Sequence, residues 1–315
     1  MPGRTALVYH PAFEDRGLSP FPSVWRRYQL TRNLVRERHL PVAEVAPEPA
    51  GREALLLAHT PRYVDFVRAA SRAGTGFLDA GDTPAYPGVY ERACVSVGAS
   101  VCGARLVAGG EFEHAFNPGG GLHHAKADSA GGFCVFNDIV VAVRILQREY
   151  RLSRIAILDI DGHHCDGTQE LLYREPVLKI SLHRFGAGFY PGTGSAEETG
   201  EGEGKGYCIN IPLPGSTDSA AYRTVFHGRV PEAIRGYRPE ILLMQCGVDG
   251  EKGDPLVGMS LSVDTYREVA AVVHGLAHDL CGGRLLLFGG GGYRPERVAA
   301  CWTAILETVC AHRTP

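Results

Sequence analysis

Short aliphatic or β-branched runs alternate along this chain with amphipathic stretches long enough for helices. The runs predict strands over Ala6–Tyr9, Val42–Ala46, Glu113–Asn117, Arg154–Ile160, Val177–His183, Tyr207–Ile211, Ile241–Gln245 and Arg284–Phe288. Between them, the spacing predicts helices over Val24–Glu37, Pro61–Arg72, Pro87–Ala108, Asn137–Glu149, Ser219–Arg235, Val263–Leu280 and Pro295–Val309. Several open on Pro, Asn or Ser, which suit a helix N-terminus. Arg154–Ile160 is nearly all aliphatic and does not alternate, the pattern of a strand buried on both faces in a parallel sheet. The β-α-β rhythm predicts an α/β fold, a three-layer αβα sandwich around a mostly parallel sheet of roughly eight strands. No Ser/Pro-rich linker or charge block divides the sequence, so we expect one domain over residues 1–315.

In such sheets ligands sit outside the carboxyl ends of the strands, and there the unusual residues gather. Asn117-Pro118-Gly119-Gly120-Gly121-Leu122-His123-His124 follows one predicted strand, Gly247-Val248-Asp249 another, and Gly289 to Tyr293 a third. A fourth ends in Asp159-Ile160-Asp161-Gly162-His163-His164-Cys165-Asp166, three carboxylates and two imidazoles in eight residues. By the strand period of two, Asp159, Asp161 and His163 fall on one side. A lone His or Asp at a strand end is most simply a hydrogen-bonded structural residue. A cluster of buried carboxylates needs cations or donors to stay ionised, which points to a metal centre with its supporting groups.

Composition narrows the function classes. Net charge is −3 with Lys and Arg dispersed, so no basic stripe recommends nucleic acid. Nine cysteines without a CxxC pair, an odd number, argue against a disulfide framework and for a reducing compartment. Met1 to His10 lacks a secretory pattern and no apolar segment reaches membrane-spanning length, so we expect a cytoplasmic protein without a membrane partner. Gly289-Gly290-Gly291-Gly292 lacks the GK[ST] of a phosphate loop and the spaced glycines of a dinucleotide fingerprint. Such a run lets backbone approach a ligand and would let Tyr293 swing. Gly200 to Gly206 leads into a strand and reads as a mobile loop.

Gly120-Gly121-Leu122-His123-His124-Ala125, Gly132-Phe133-Cys134-Val135-Phe136-Asn137-Asp138, Asp159 to Gly167, Pro191-Gly192-Thr193-Gly194, Gly247-Val248-Asp249 through Gly253-Asp254-Pro255, and Gly289 to Tyr293 stand in a telling order and spacing. Together they resemble the zinc-dependent histone deacetylases of the arginase/deacetylase fold, and among these the bacterial acetoin-utilisation deacetylases in particular. The likeness runs from Val8-Tyr9-His10-Pro11 to Cys301-Trp302. It implies Asp161, His163 and Asp249 as zinc ligands, His124 as general base, His123 as its partner, and Tyr293 as donor to the substrate oxygen. Asp159 would support His123, and Asp166 would support His124. It implies a potassium ion held by Asp159, Ser181 and the backbone of Asp161, His163 and Leu182. It also implies a narrow tube bounded by Gly132, Phe133, Tyr190 and Leu256, with Asp82 at the rim. Core packing is the alternative for Phe133, and an ordinary turn aspartate would look the same as Asp82.

The donor set agrees with that chemistry. Two carboxylates and one imidazole leave zinc open positions for water and a carbonyl, and a Tyr hydroxyl suits a developing oxyanion. The substrate class implied is an acetylated protein or a small acetylated amine. Two other readings stay open. A dimanganese ureohydrolase would want a bridging carboxylate where Cys165 stands, with Glu251 as a further metal ligand. A silent acyl-lysine reader would not need His124 and Tyr293. The sequence departs from the family pattern at Cys165, usually Gly, and at Leu18-Ser19-Pro20-Phe21-Pro22-Ser23, where the family carries His, Glu and Arg; Arg26 and Arg27 are the candidate substitutes.

Overall fold

The computed structural model describes residues 5–14 and 24–311, so Leu18 to Ser23 lie outside the described residues. The strands are β1 (Thr5–Val8), β2 (Val42–Val45), β3 (His114–Asn117), β4 (Ile155–Asp159), β5 (Leu178–Arg184), β6 (Cys208–Leu213), β7 (Ile241–Gln245) and β8 (Leu285–Phe288). The helices are α1 (Val24–Glu37), α2 (Arg52–Leu55), α3 (Pro61–Ala73), α4 (Val89–Ala108), α5 (Asp138–Tyr150), α6 (Asp166–Leu171), α7 (Ser219–Tyr237), α8 (Val263–Cys281) and α9 (Pro295–Cys310).

Local chemistry sets the helix starts. Thr60 accepts from Tyr63 N before α3, Asn137 from Val140 N before α5, Asp218 from Ala221 N before α7, and Ser262 from Thr265 N before α8. Each cap satisfies an N–H that the helix cannot pair itself. α4 begins two residues later than the pattern predicts, because Gly88 adopts φ +86° and cannot be helical. α2 and α6 are not visible in the apolar periodicity; both are too short to show one. Gly202–Gly204 forms a 3-10 turn, with Glu201 N bonded to Tyr173 O.

All eight strands join one sheet in the order β2-β1-β3-β8-β7-β4-β5-β6, and every pairing is parallel. The expected sandwich is therefore present, its sheet wholly parallel instead of mostly so. α4 and α5 pack together, while α7, α8, α9 and α1 form a second contiguous row. The central strands are buried along their length: Ile155 to Leu158, Ile241 to Met244 and Leu285 to Phe288 are all at most 1 % exposed. Each large aliphatic side chain so buried contributes on the order of 1.5–3 kcal/mol against exposure. Among the described residues no helix is long and apolar enough to cross a membrane.

The sheet order places the chemistry. β3, β8, β7 and β4 are consecutive neighbours, and their last residues are in register: Asn117 with Phe288, Phe288 with Gln245, Gln245 with Asp159. The four polar segments thus leave the sheet side by side at one level. Because β3 runs on to β4 across two intervening strands, a crevice opens between them, where parallel sheets bind ligands.

Candidate metal centre and active site

The turn after β3 is tied to the head of α5. Asp138 accepts from Gly121 N at 3.1 Å, from Leu122 N at 2.8 Å and from Ser100 Oγ at 2.5 Å. Thus anchored, the turn sets His123 and His124 with their Nε2 atoms 3.1 Å apart. Behind them, His123 Nδ1 donates to Asp159 Oδ2 at 2.8 Å and His124 Nδ1 to Asp166 Oδ1 at 2.6 Å. Lys126 Nζ stands 3.5 Å from the other Asp166 oxygen. Burial opposes charge on both rings. At His123 the carboxylates of Asp159 and Asp161 outweigh it and push the ring up to about 9. At His124 burial, then the charge of His123, push the ring down to about 4. The two form one proton-sharing pair with His124 as its neutral member.

The alternation of β4 stops at Asp159, so the predicted common face does not continue past it. Asp159 serves His123, whereas Asp161 and His163 turn toward Asp249. His163 Nδ1 lies 2.9 Å from Asp249 Oδ2 and 3.2 Å from Asp161 Oδ1. Each carboxylate has its other oxygen held: Gly162 N donates to Asp249 Oδ1 at 2.6 Å, and Gln245 Nε2 and Gly291 N donate to Asp161 Oδ2 at 2.9 and 2.8 Å. The three donor atoms lie within 4.8 Å of one another, all buried. Burial, then repulsion from Asp161, raises Asp249 to about 7, and the two carboxylates overcome burial to raise His163 to about 10. Among the described residues no Lys or Arg pairs with either carboxylate. Two anionic oxygens and one imidazole nitrogen at this spacing fit a zinc ion, which takes such ligands at about 2.0–2.2 Å and keeps a position open in catalytic sites.

Tyr293 lines the same cavity of about 150 Å³ as His124, His163 and Asp161. Burial pushes its hydroxyl well above the ordinary phenol value, so it is a donor. The glycine run before it is not free to swing as its composition suggests. Arg27, itself buried, donates through Nη1 to Gly290 O at 2.9 Å and Gly292 O at 3.0 Å, while Asp254 Oδ2 accepts from Tyr293 N at 2.9 Å. With Gly291 N bonded to Asp161, three side chains fasten the loop at four consecutive residues. Arg26 is exposed and pairs with Glu296 at 2.9 Å.

The rim residues divide. Gly132 and Phe133 border the cavity, and Phe133 sits 38 % exposed at φ +66° with its ring 6.1 Å from that of Tyr293. Tyr190 does not border the cavity but stands edge-on to His124 at 4.9 Å. Leu256 is 44 % exposed and, like Asp82, does not border the cavity. Asp82 accepts from Thr83 Oγ1 at 2.8 Å, and Thr83 in turn accepts from Phe133 N at 3.1 Å, so this turn buttresses the Phe133 loop. Phe189, not singled out from sequence, stacks on His163 at 5.1 Å and 8°. Asp138, Gln245 and Asp254 have no role assigned from sequence, and Arg27, a candidate rim substitute there, instead holds the glycine loop. For Gln245 a signal exists, a polar side chain closing an otherwise apolar strand, as with Asp159.

The ureohydrolase reading is not favoured: the described carboxylates and imidazoles gathered at this centre are those of Asp161, His163 and Asp249, and a thiol stands where the bridging carboxylate would be. Cys165 is a buried thiol that burial pushes well above its ordinary value, with φ −79° that any residue adopts. Glu251 accepts from Arg297 Nε at 2.7 Å through Oε1, while its Oε2 is buried without a partner.

The sequence matches the histone deacetylase domain model over residues 21–309. Acetoin utilization protein AcuC of Bacillus subtilis is 37 % identical over 273 residues, covering 83 % of this chain and 70 % of that protein. A histone deacetylase-like amidohydrolase of Pseudomonas aeruginosa is 37 % identical over 271 residues, 84 % of this chain and 70 % of its own. A probable deacetylase of Archaeoglobus fulgidus is 35 % identical over 301 residues, 93 % of this chain and 82 % of its own. The crystal structure of the HDA15 HD domain superposes with a TM-score of 0.89 at 27 % identity, covering 99 % of this chain and 90 % of that one. Fold, domain match and relatives agree, and the chain belongs to the histone deacetylase family of zinc-dependent deacetylases.

Proposed function

We propose that residues 1–315 act as one catalytic unit that removes acetyl from a lysine-like amine, on a protein or a small acetylated amine, in the cytoplasm. The observation that carries this reading is the Asp161, His163 and Asp249 cluster facing a carboxylate-backed histidine pair across one cavity. Zinc on those three side chains would supply Lewis-acid polarisation of the amide carbonyl and a more acidic water. The chain's own groups do the rest. His124, neutral and oriented by Asp166, takes the proton of the attacking water. His123, kept cationic by Asp159, lowers the cost of negative charge on the tetrahedral carbon's oxygen, and the proton held by the pair is returned to the departing amine. Tyr293 donates its hydroxyl to that oxygen. Phe133 and Tyr190 suit an aliphatic stem and keep water from it. Asp82 would take a hydrogen bond from substrate backbone at the rim, and Leu256 would widen the apolar entrance. Potassium at Asp159, Ser181 and the carbonyls of Asp161, His163 and Leu182 would balance a carboxylate that is fully buried. The cytoplasmic placement rests on nine free cysteines, the state a reducing compartment maintains.

The test is turnover of acetyl-lysine peptides and acetylated polyamines with zinc quantified on the same sample. Asp161→Ala, His163→Ala and Asp249→Ala should each lose zinc and activity together. Normal zinc content and turnover in any one of them would overturn the ligand assignment.

A further inference from the structure

A second group of convergent side chains lies at the opposite end of the strands. His114 opens β3, so it sits at the amino end of that strand, whereas the catalytic turns leave the carboxyl ends. Its ring packs 4.8 Å from His274 and 5.4 Å from His278, and those two are 4.6 Å apart. His274 and His278 are four residues apart on α8, which puts both on one helix face, the spacing by which helices chelate metals. Their Nε2 atoms are 3.0 Å from each other, and one nitrogen from each of the three rings falls within a 4.8 Å sphere of the others.

Two observations point to a ligand in addition to the clustering. His114 is 1 % exposed, and its Nε2 is buried with no hydrogen-bond partner. A buried ring nitrogen left unpaired is destabilising unless something occupies it. Its Nδ1 is 3.3 Å from Thr5 Oγ1, the outer hydrogen bond that orients metal-bound imidazoles. The cluster also lies by the last turns of α8, where the helix dipole favours positive charge. His278 is only partly buried, giving an ion a way in. Tetrahedral zinc at about 2.0–2.1 Å from nitrogen separates its ligand atoms by about 3.3 Å, so the His274–His278 spacing needs little adjustment.

We propose that His114, His274 and His278 form a second, three-imidazole site for a borderline divalent cation such as Zn2+, bracing the amino end of β3 against the last turns of α8. It shares no ligand with the catalytic cluster, and its fate is separable from that of the deacetylase reading.

Tag-free protein is dialysed against low-micromolar Zn2+ and its metal counted by elemental analysis, with melting temperature followed in parallel. The wild type should hold two equivalents per chain, His278→Ala and His274→Gln one each, with deacetylation unchanged in both. Asp161→Ala should keep the distal equivalent, and Asp161→Ala with His278→Ala should hold none. Zinc should raise the melting temperature of Asp161→Ala and leave that of the double variant unmoved. If Asp161→Ala binds no zinc, or if a second equivalent survives in both histidine variants, the three rings are only a packed core cluster sharing protons and the proposal is wrong.

Discussion

Gly132→Ala is the sharpest probe of how this site is built. A methyl carbon added to Gly132 would stand 2.8 Å from His124 Cγ and 3.0 Å from its Nε2, and closer still to Cδ2. Carbon atoms pack at about 3.5–4.0 Å, so the imidazole must retreat by about 1 Å. It has nowhere to go without cost, being held by Asp166 at 2.6 Å and His123 at 3.1 Å. Gly132 also sits at φ +51°, where a side chain adds roughly 1–2 kcal/mol of strain. A displacement of that size in a catalytic group costs on the order of 10² in rate. We therefore expect kcat to fall about a hundredfold and unfolding free energy by about 1–2 kcal/mol, while zinc content stays at the wild-type level because Asp161, His163 and Asp249 are untouched. The assay is steady-state turnover of an acetyl-lysine peptide, with urea unfolding and zinc analysis on the same preparation. Wild-type kcat in a folded, zinc-loaded Gly132→Ala protein would refute the placement of His124 as the base.

Tyr293→Phe should retain zinc and substrate affinity while kcat drops by about 10²–10³, the usual effect of deleting one oxyanion donor; unchanged kcat would show that another group donates. Arg27→Met leaves the carbonyls of Gly290 and Gly292 without their donor, so kcat should fall with little change in zinc content, and a variant as active as wild type would mean that the loop holds its shape unaided. His59 accepts from Asn137 N on Nε2 and donates from Nδ1 to Lys126 O at 2.8 Å, and burial pushes it down to about 4. The unfolded chain therefore binds this proton more readily than the native one, so stability is full above about pH 6.5 and declines as pH falls toward 4. Between pH 7 and 5 the loss from this residue should be about 2 kcal/mol by urea unfolding, and His59→Gln should remove that part of the pH dependence; identical profiles would sink the assignment.

The strands were legible because a doubly covered parallel sheet writes itself as uninterrupted apolar runs, such as Ile241 to Met244 and Leu285 to Phe288. Most helices were legible from amphipathic spacing and caps such as Thr60 and Ser262. The candidate site was legible where strands end in charged side chains and in motif order. What escaped is what depends on residues distant in sequence. Nothing in the neighbourhood of Arg27 says that it fastens carbonyls at 290 and 292, and nothing near Asp254 says that it bonds Tyr293 N. The strand period of two does not carry past Asp159, where β4 stops, so it could not place Asp161 and His163.

The place of β8 bears on how the protein comes to exist at all. The strand nearest the end of the described chain is inserted between β3 and β7, in the middle of the sheet, and no direct pairing joins the group β1, β2, β3 to the group β4 to β7 without it. During synthesis each group can assemble its own strands, but both keep an open, apolar edge until residues 285–288 have left the ribosome and wedged between them. Contacts of such long sequence separation are slow to form. The histidine pair and the residues around Asp161 therefore meet Tyr293 only at the final step, and a nascent or truncated chain would be prone to edge-to-edge association before it could hydrolyse anything.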